Sequence, residues 1–266
     1  MAEEPTIAWS SGDAYEAYVG RWSRMVAREF LDWLYVCADS SWLDVGCGTG
    51  ELSRAILETR SPSRLVGIDP SEGFIAFARE HVRDHRAEFR VGDAMALPDK
   101  GETFAAAVSG LVLNFLLDPG GGVREMARVT VPDGTVGAYV WDYAGKMELM
   151  RYFWDAAVAL HPDAANLDEG RLFKICRPEA LGELLKSSGL SNVETRAIDI
   201  STHFRDFDDF WSPFLGGEAP APAYCMSLSE EHRAALRERI RQTLPIERDG
   251  SISLIARAWA VRGRPS

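Results

Sequence analysis

The run Trp42-Leu-Asp-Val-Gly-Cys-Gly-Thr-Gly50 leaves few options for what folds around it. Trp42 to Val45 is a short apolar stretch with one acidic residue that stops at glycine, the pattern of a buried strand. Beyond Gly50 the period changes: Leu52, Ala55 and Ile56 fall at i, i+3 and i+4, so a helix begins where the glycines end. Gly46, Gly48 and Gly50 therefore occupy a tight strand-to-helix turn. There the missing Cβ admits positive φ and lets a ligand approach the backbone closely, as in a nucleotide pocket.

The dinucleotide fingerprint requires G-x-G-x-x-G, whereas here the third glycine arrives one residue early, which speaks against NAD. Two further strands end in carboxylates: Leu65-Val-Gly-Ile-Asp69 and Phe89-Arg-Val-Gly-Asp93. Ligands of open α/β sheets bind outside the carboxyl ends of the strands, where these groups fall. With those elements in order, Tyr15 to Trp141 resembles the class I S-adenosylmethionine-dependent methyltransferases, in the group that includes small-molecule and quinone-type methylases. The remainder of the chain matches more loosely. The resemblance implies an α/β fold: a Rossmann-like, doubly wound seven-stranded sheet with a late antiparallel strand, plus helical lid additions. It implies one domain over residues 1–266, with 146–176 and 206–250 as substrate-lid elaborations.

It also implies roles. Asp44, Gly46, Cys47, Gly48 and Gly50 would pack against the methionine and ribose of S-adenosylmethionine. Asp69 would accept from the two ribose hydroxyls. Asp93 would accept from the adenine amino group, with the Ala94 N–H on a ring nitrogen. Pro70 and Phe74 would offer apolar surface to adenine, and backbone groups from Ser109 to Leu111 would meet the methionine ammonium. Tyr15, Arg21 and Trp22, on a helix opened by the capping-box pattern Asp13-Ala-Tyr-Glu16, would help hold the methionine end. The residues alone leave other readings open: Asp44 as a brace for the glycine turn, Phe74 as core, Asp69 and Asp93 as solvated loop carboxylates.

Net charge −11 argues against a nucleic-acid partner, because polyanion binding needs a surface lined with Lys and Arg. Arg233, Arg237, Arg239 and Arg241 are interspersed with Glu230, Glu231 and Glu238, the pattern of a solvated mixed-charge helix. No apolar run approaches the ~20 residues of a membrane span, and Met-Ala-Glu-Glu-Pro has no signal-peptide pattern, so the expected location is the cytoplasm, as monomer or homodimer. The four cysteines show no C-x-x-C spacing and are expected reduced. His81 and His85 stand at i and i+4 without a third ligand nearby in sequence, and no metal is expected.

Alternating strands and helices continue to a fifth strand, Thr135 to Trp141, after a turn at Pro132-Asp-Gly134; Asp118-Pro-Gly-Gly-Gly122 reads as a loop. Later come helices over 147–160, 178–188 and 229–244, strands over about 192–203 and 251–261, and a Gly/Pro/Ala-rich loop within 206–228. Phe153, Trp154, Phe207, Phe210, Trp211 and Phe214 are surplus to the sheet's own faces and are expected either to cover an apolar acceptor or to pack a peripheral core or dimer interface. No catalytic residue is assigned; by location alone the candidates are Asn114, Asp142, Tyr143, His161 and His203. The expected activity is methyl transfer to a small apolar or aromatic molecule. A non-catalytic S-adenosylmethionine-binding regulator and a protein or RNA methyltransferase are the competing readings.

Overall fold

A computed structural model describes residues 21–216 and 219–265. They fall into two compact units. Tyr15 and the side chain of Arg21 lie outside the described residues, as does the capping-box pattern at 13–16.

The larger unit comprises Ser23–Trp141, Ile175–Ile198 and residues 258–265. Its elements run α1 (Arg21–Leu34), β1 (Ser41–Val45), α2 (Glu51–Thr59), β2 (Arg64–Asp69), α3 (Glu72–His81), β3 (Ala87–Val91), β4 (Phe104–Gly110), α4 (Pro119–Val129) and β5 (Thr130–Trp141). Later elements are α5 (Glu148–Leu160), α6 (Glu169–Leu172), α7 (Pro178–Ser187), β6 (Leu190–Phe204), α8 (Phe207–Trp211), α9 (Pro220–Ser227), α10 (Glu230–Thr243) and β7 (Ile252–Pro265). The strands form one seven-stranded sheet in the order β3-β2-β1-β4-β5-β7-β6. β1 to β5 pair in parallel, and β7 is antiparallel to β5, from Val136 opposite Gly263 to Trp141 opposite Ala258. This is the Rossmann-like sheet with a late antiparallel strand that the resemblance implies. Central strands of a parallel sheet are covered on both faces, and Trp42, Leu43, Val66, Ile68, Ala106 and Val108 are accordingly buried whichever way they point.

Caps place the helices. Ser71 accepts from the Phe74 N–H at 3.3 Å to start α3, and Gly189, at φ 89°, stops the chain after α7 in the left-handed conformation. Two local expectations fail. Asp118-Pro-Gly-Gly-Gly122 is not a loop: Asp118 caps the Gly121 N–H at 2.9 Å and Pro119 sits in the first turn, so the glycines lie inside α4. Pro132-Asp-Gly134 does not precede β5 but bulges within it. β4 advances from Phe104 to Ala106 while β5 advances from Thr130 to Thr135, and Asp133 takes φ 60°.

The smaller unit holds Trp22, 142–174 and 199–257. Its centre is aromatic: Phe153 stacks on Phe214 at 4.5 Å between centroids and meets Trp154 edge-on at 5.2 Å, while Phe210 contacts Phe204, Phe207 and Phe214. The Trp154 indole donates to Glu169 at 2.8 Å, and burial pushes that carboxyl up to about 7. The sequence suggests a loop within 206–228, but Pro220 at the first helical position begins α9. No helix among the described residues is long and apolar enough to cross a membrane.

Candidate functional site

The carboxyl ends of β1, β2 and β4 converge on the glycine turn, all within the larger unit. Gly46, Gly48 and Gly50 take φ of 72°, 52° and 92°, a conformation that L side chains rarely adopt. At Gly46 a Cβ would also sit 2.6 Å from a Val112 methyl, so that position excludes side chains twice over. At Gly48 an added Cβ would meet no atom of the described residues within 4 Å. The turn is pinned from β2, with the Gly46 and Cys47 N–H groups donating to the Ile68 carbonyl at 2.7 and 3.0 Å.

Asp69 closes β2 and is buried. One carboxylate oxygen accepts from the Gly48 N–H at 3.0 Å and the other from the Ser71 N–H at 2.9 Å. Burial raises its pKa, and the two backbone donors pull the other way. Each oxygen keeps a second lone pair after these bonds, so Asp69 braces the turn and still has acceptor capacity. The backbone of Asp69 in turn accepts from Gly92 at 3.1 Å, which ties in the end of β3. Asp93 stands beyond that strand rather than ending it; it is exposed, and its carboxylate accepts from Met95 N–H at 2.9 Å. Ala94 beside it is buried, Pro70 is exposed and Phe74 is half-buried.

Asp44 is fully buried, with one carboxyl oxygen accepting from the Ser53 hydroxyl at 2.7 Å and the other without a hydrogen-bond partner. Burial pushes its pKa up to about 7, against the Ser53 bond and with the help of neighbouring Asp69. The Cys47 thiol is also buried, and Gly67 of β2 lies so close beneath it that an added Cβ would be 3.0 Å from Sγ. Burial holds that thiol far above its ordinary value, which leaves only the Cys47 backbone to line the turn. The Ser109 hydroxyl is committed, donating to the Val45 carbonyl at 2.9 Å. After it, a Cβ on Gly110 would strike the Tyr139 hydroxyl at 2.6 Å, and Leu111 takes φ 62°.

Ser53, Gly67 and Val112 are thus parts of the site that motif reading passes over. Ser53 had a signal: it is the polar residue beside Leu52 on the buried side of α2. The candidates for a catalytic group divide between the two units. Asp142, Tyr143, His161 and His203 belong to the smaller unit. Asp142 accepts from the Lys146 N–H at 2.9 Å, the His161 ring lies 4.8 Å from that of His232, and His203 meets Ser253 at 3.4 Å. Asn114 follows β4 in the larger unit, with its amide nitrogen buried and unpartnered. His81 bonds the Phe77 carbonyl at 2.9 Å, and no group of three or more potential metal ligands occurs among the described residues.

The strand order, glycine turn and carboxylate at the end of the second strand define the Rossmann-like class that binds a nucleoside-bearing ligand outside the sheet's carboxyl edge. Comparison with known proteins narrows it. Residues 43–137 match the methyltransferase domain family. Similar proteins include the demethylmenaquinone methyltransferase of Lactobacillus johnsonii, 27% identical over 181 residues, or 62% of this chain and 74% of that one. The 2-phytyl-1,4-naphtoquinone methyltransferase of Thermosynechococcus vestitus is 34% identical over 42% of this chain and 49% of its own. Among solved structures, Haemonchus contortus phosphoethanolamine N-methyltransferase 2 with S-adenosyl-L-methionine has TM-score 0.60 and 17% identity over 96% of this chain and 56% of that one. The [4+2]-cyclase SpnF has TM-score 0.56 and 20% identity over 97% and 85%. At these identities the two structures speak to the fold alone. Residues 43–137 thus match a methyltransferase domain, set in the Rossmann-like sheet described above.

Proposed function

We propose that the domain transfers a methyl group from S-adenosylmethionine to a small apolar or aromatic acceptor, of which a quinone-type ring is the best-supported kind. The observation that carries the cofactor half is the buried Asp69 carboxylate, which braces the Gly48 backbone at the end of β2 and retains acceptor capacity on both oxygens. The acceptor half rests on the quinone substrates named in the two related enzymes.

When bound, S-adenosylmethionine supplies a methyl activated on a sulfonium, so transfer is an in-line displacement and the protein aligns and desolvates. In this reading Asp69 accepts from the ribose hydroxyls, a task for an acceptor-only group. Asp93 and the Ala94 N–H address the adenine edge, Pro70 and Phe74 its faces, and the backbone after Ser109 the methionine end. Gly46, Cys47 and Gly48 contribute main chain. Tyr15 and Arg21 remain proposed contacts at the methionine end. Segments 146–176 and 206–250 are proposed to set acceptor choice.

A thermal-shift titration tests the cofactor half. S-adenosylmethionine and S-adenosylhomocysteine are expected to stabilise the protein by about 2.7 kcal/mol at a hundredfold excess over Kd, and NADH is expected to do nothing. Stabilisation by NADH alone would sink the assignment. Because the fold is also that of a cyclase, binding does not by itself establish transfer. Incubation with labelled cofactor and a panel of hydroxylated naphthoquinones, followed by mass spectrometry, decides between turnover and a purely binding role.

A further inference from the structure

Asp44 is fully buried at the penultimate position of β1. Its side chain is held by the Ser53 hydroxyl, and neither carboxyl oxygen is bonded to a basic side chain. A buried carboxylate with an idle oxygen is costly, because the charge has lost its water without gaining a cation or a full set of donors. The surroundings deepen that cost. β2 brings Asp69, a second buried carboxyl, and the turn brings the Cys47 thiol. α2 brings Ser53 and, at its start, Glu51, which is engaged by Arg24 at 2.6 Å and Arg54 at 3.3 Å. β4, paired beside Asp44 at Val108, has no ionisable side chain in Phe104–Gly110.

We propose that Asp44 carries a proton in a substantial share of the cofactor-free protein at neutral pH and releases it when S-adenosylmethionine binds, which makes cofactor binding proton-coupled. The inference rests on the cofactor reading above and goes beyond it, since it concerns the ionisation of one buried group rather than a contact. The carboxyl O–H bond breaks, the proton passes to solvent buffer, and the carboxylate left behind offsets the net positive charge brought into the turn. That charge resides in the sulfonium, which the S-adenosylhomocysteine product lacks, so product binding pulls less on the proton. The direction agrees with the Asp44 carboxyl being pushed up to about 7 in the free protein. A group held there is half protonated at neutral pH and responds to one added charge.

Isothermal calorimetry in buffers of different ionisation enthalpy counts the protons, with Asp44→Asn as reference. A free α-amino group titrates near 7.7–8.0, so proton uptake by the cofactor's own amine occurs in both proteins and cancels in the difference. The unaltered protein is expected to release about half a proton more than Asp44→Asn at pH 7 and about a tenth more at pH 8. Relative to the variant, its affinity for S-adenosylmethionine should rise about tenfold from pH 6 to pH 8. Equal proton counts in two proteins that both bind would overturn the coupling and leave the cofactor reading intact. Failure of the unaltered protein to bind at any pH would overturn the cofactor reading instead. Should Asp44→Asn not fold or not bind, carboxyl ¹³C NMR of the unaltered protein decides the matter without it. The Asp44 midpoint is expected near neutrality and to fall by about two units or more when S-adenosylmethionine is added; an unmoved midpoint refutes the proposal.

Discussion

Asp69→Ala is expected to weaken S-adenosylmethionine binding by about a hundredfold or more, against about tenfold for Asp93→Ala, because hydrogen bonds to a charged acceptor contribute about 1.5–3 kcal/mol each. In the proposed reading two ribose hydroxyls share Asp69, whereas Asp93 receives one amino group. Position adds to the difference. Asp69 is buried and holds the Gly48 and Ser71 N–H groups, so its removal also loosens the turn, while the exposed Asp93 carboxylate holds the Met95 N–H. Asp69→Asn keeps one acceptor oxygen and is expected to fall between the two. Calorimetry on variants shown by circular dichroism to be folded decides it. An unchanged Kd for Asp69→Ala would mean that the ligand sits elsewhere.

The second large effect is on stability. Phe210→Ala should cost about 3–5 kcal/mol in urea unfolding, the range for truncating a buried aromatic to alanine. Phe210 is fully buried, with Phe204 at 5.3 Å and Phe214 at 5.7 Å between ring centroids. Phe210→Leu keeps most of the volume and should cost less than about 1.5 kcal/mol. A midpoint unmoved by Phe210→Ala would show that this ring is not held in a packed core. The result also bears on acceptor choice. Phe153, Trp154, Phe210 and Phe214 are engaged with one another, so tests of acceptor selectivity belong on less buried neighbours such as Tyr224.

What was legible in the sequence was whatever depends on neighbours along the chain. The glycine turn, Asp69 at a strand end, the Ser71 cap and Gly189 as a helix stop all follow from local steric and hydrogen-bonding rules, and all appear in the fold. The failures have a common cause. The bulge at Pro132–Gly134 exists because β5 pairs with β4 on both sides of it, a fact about a partner strand that the tripeptide does not carry. Ser53 matters only because α2 brings it to Asp44, nine residues earlier. The aromatic residues of the later segments announce burial without saying against what, and their partners lie as far apart as Phe153 and Phe214.

The strand order carries a consequence for how the chain is made. β7 lies between β5 and β6, yet it is the last of the seven strands to leave the ribosome. Until Ile252–Pro265 emerges, the flank of β5 that will take β7 is unpaired and β6 has no neighbour on that side. Exposed strand edges of this kind recruit other chains, so the nascent protein spends the synthesis of residues 205–251 in its most aggregation-prone form. The five parallel strands and the glycine turn are complete well before that, so the proposed cofactor site is largely assembled while the sheet waits for the strand that fills its gap.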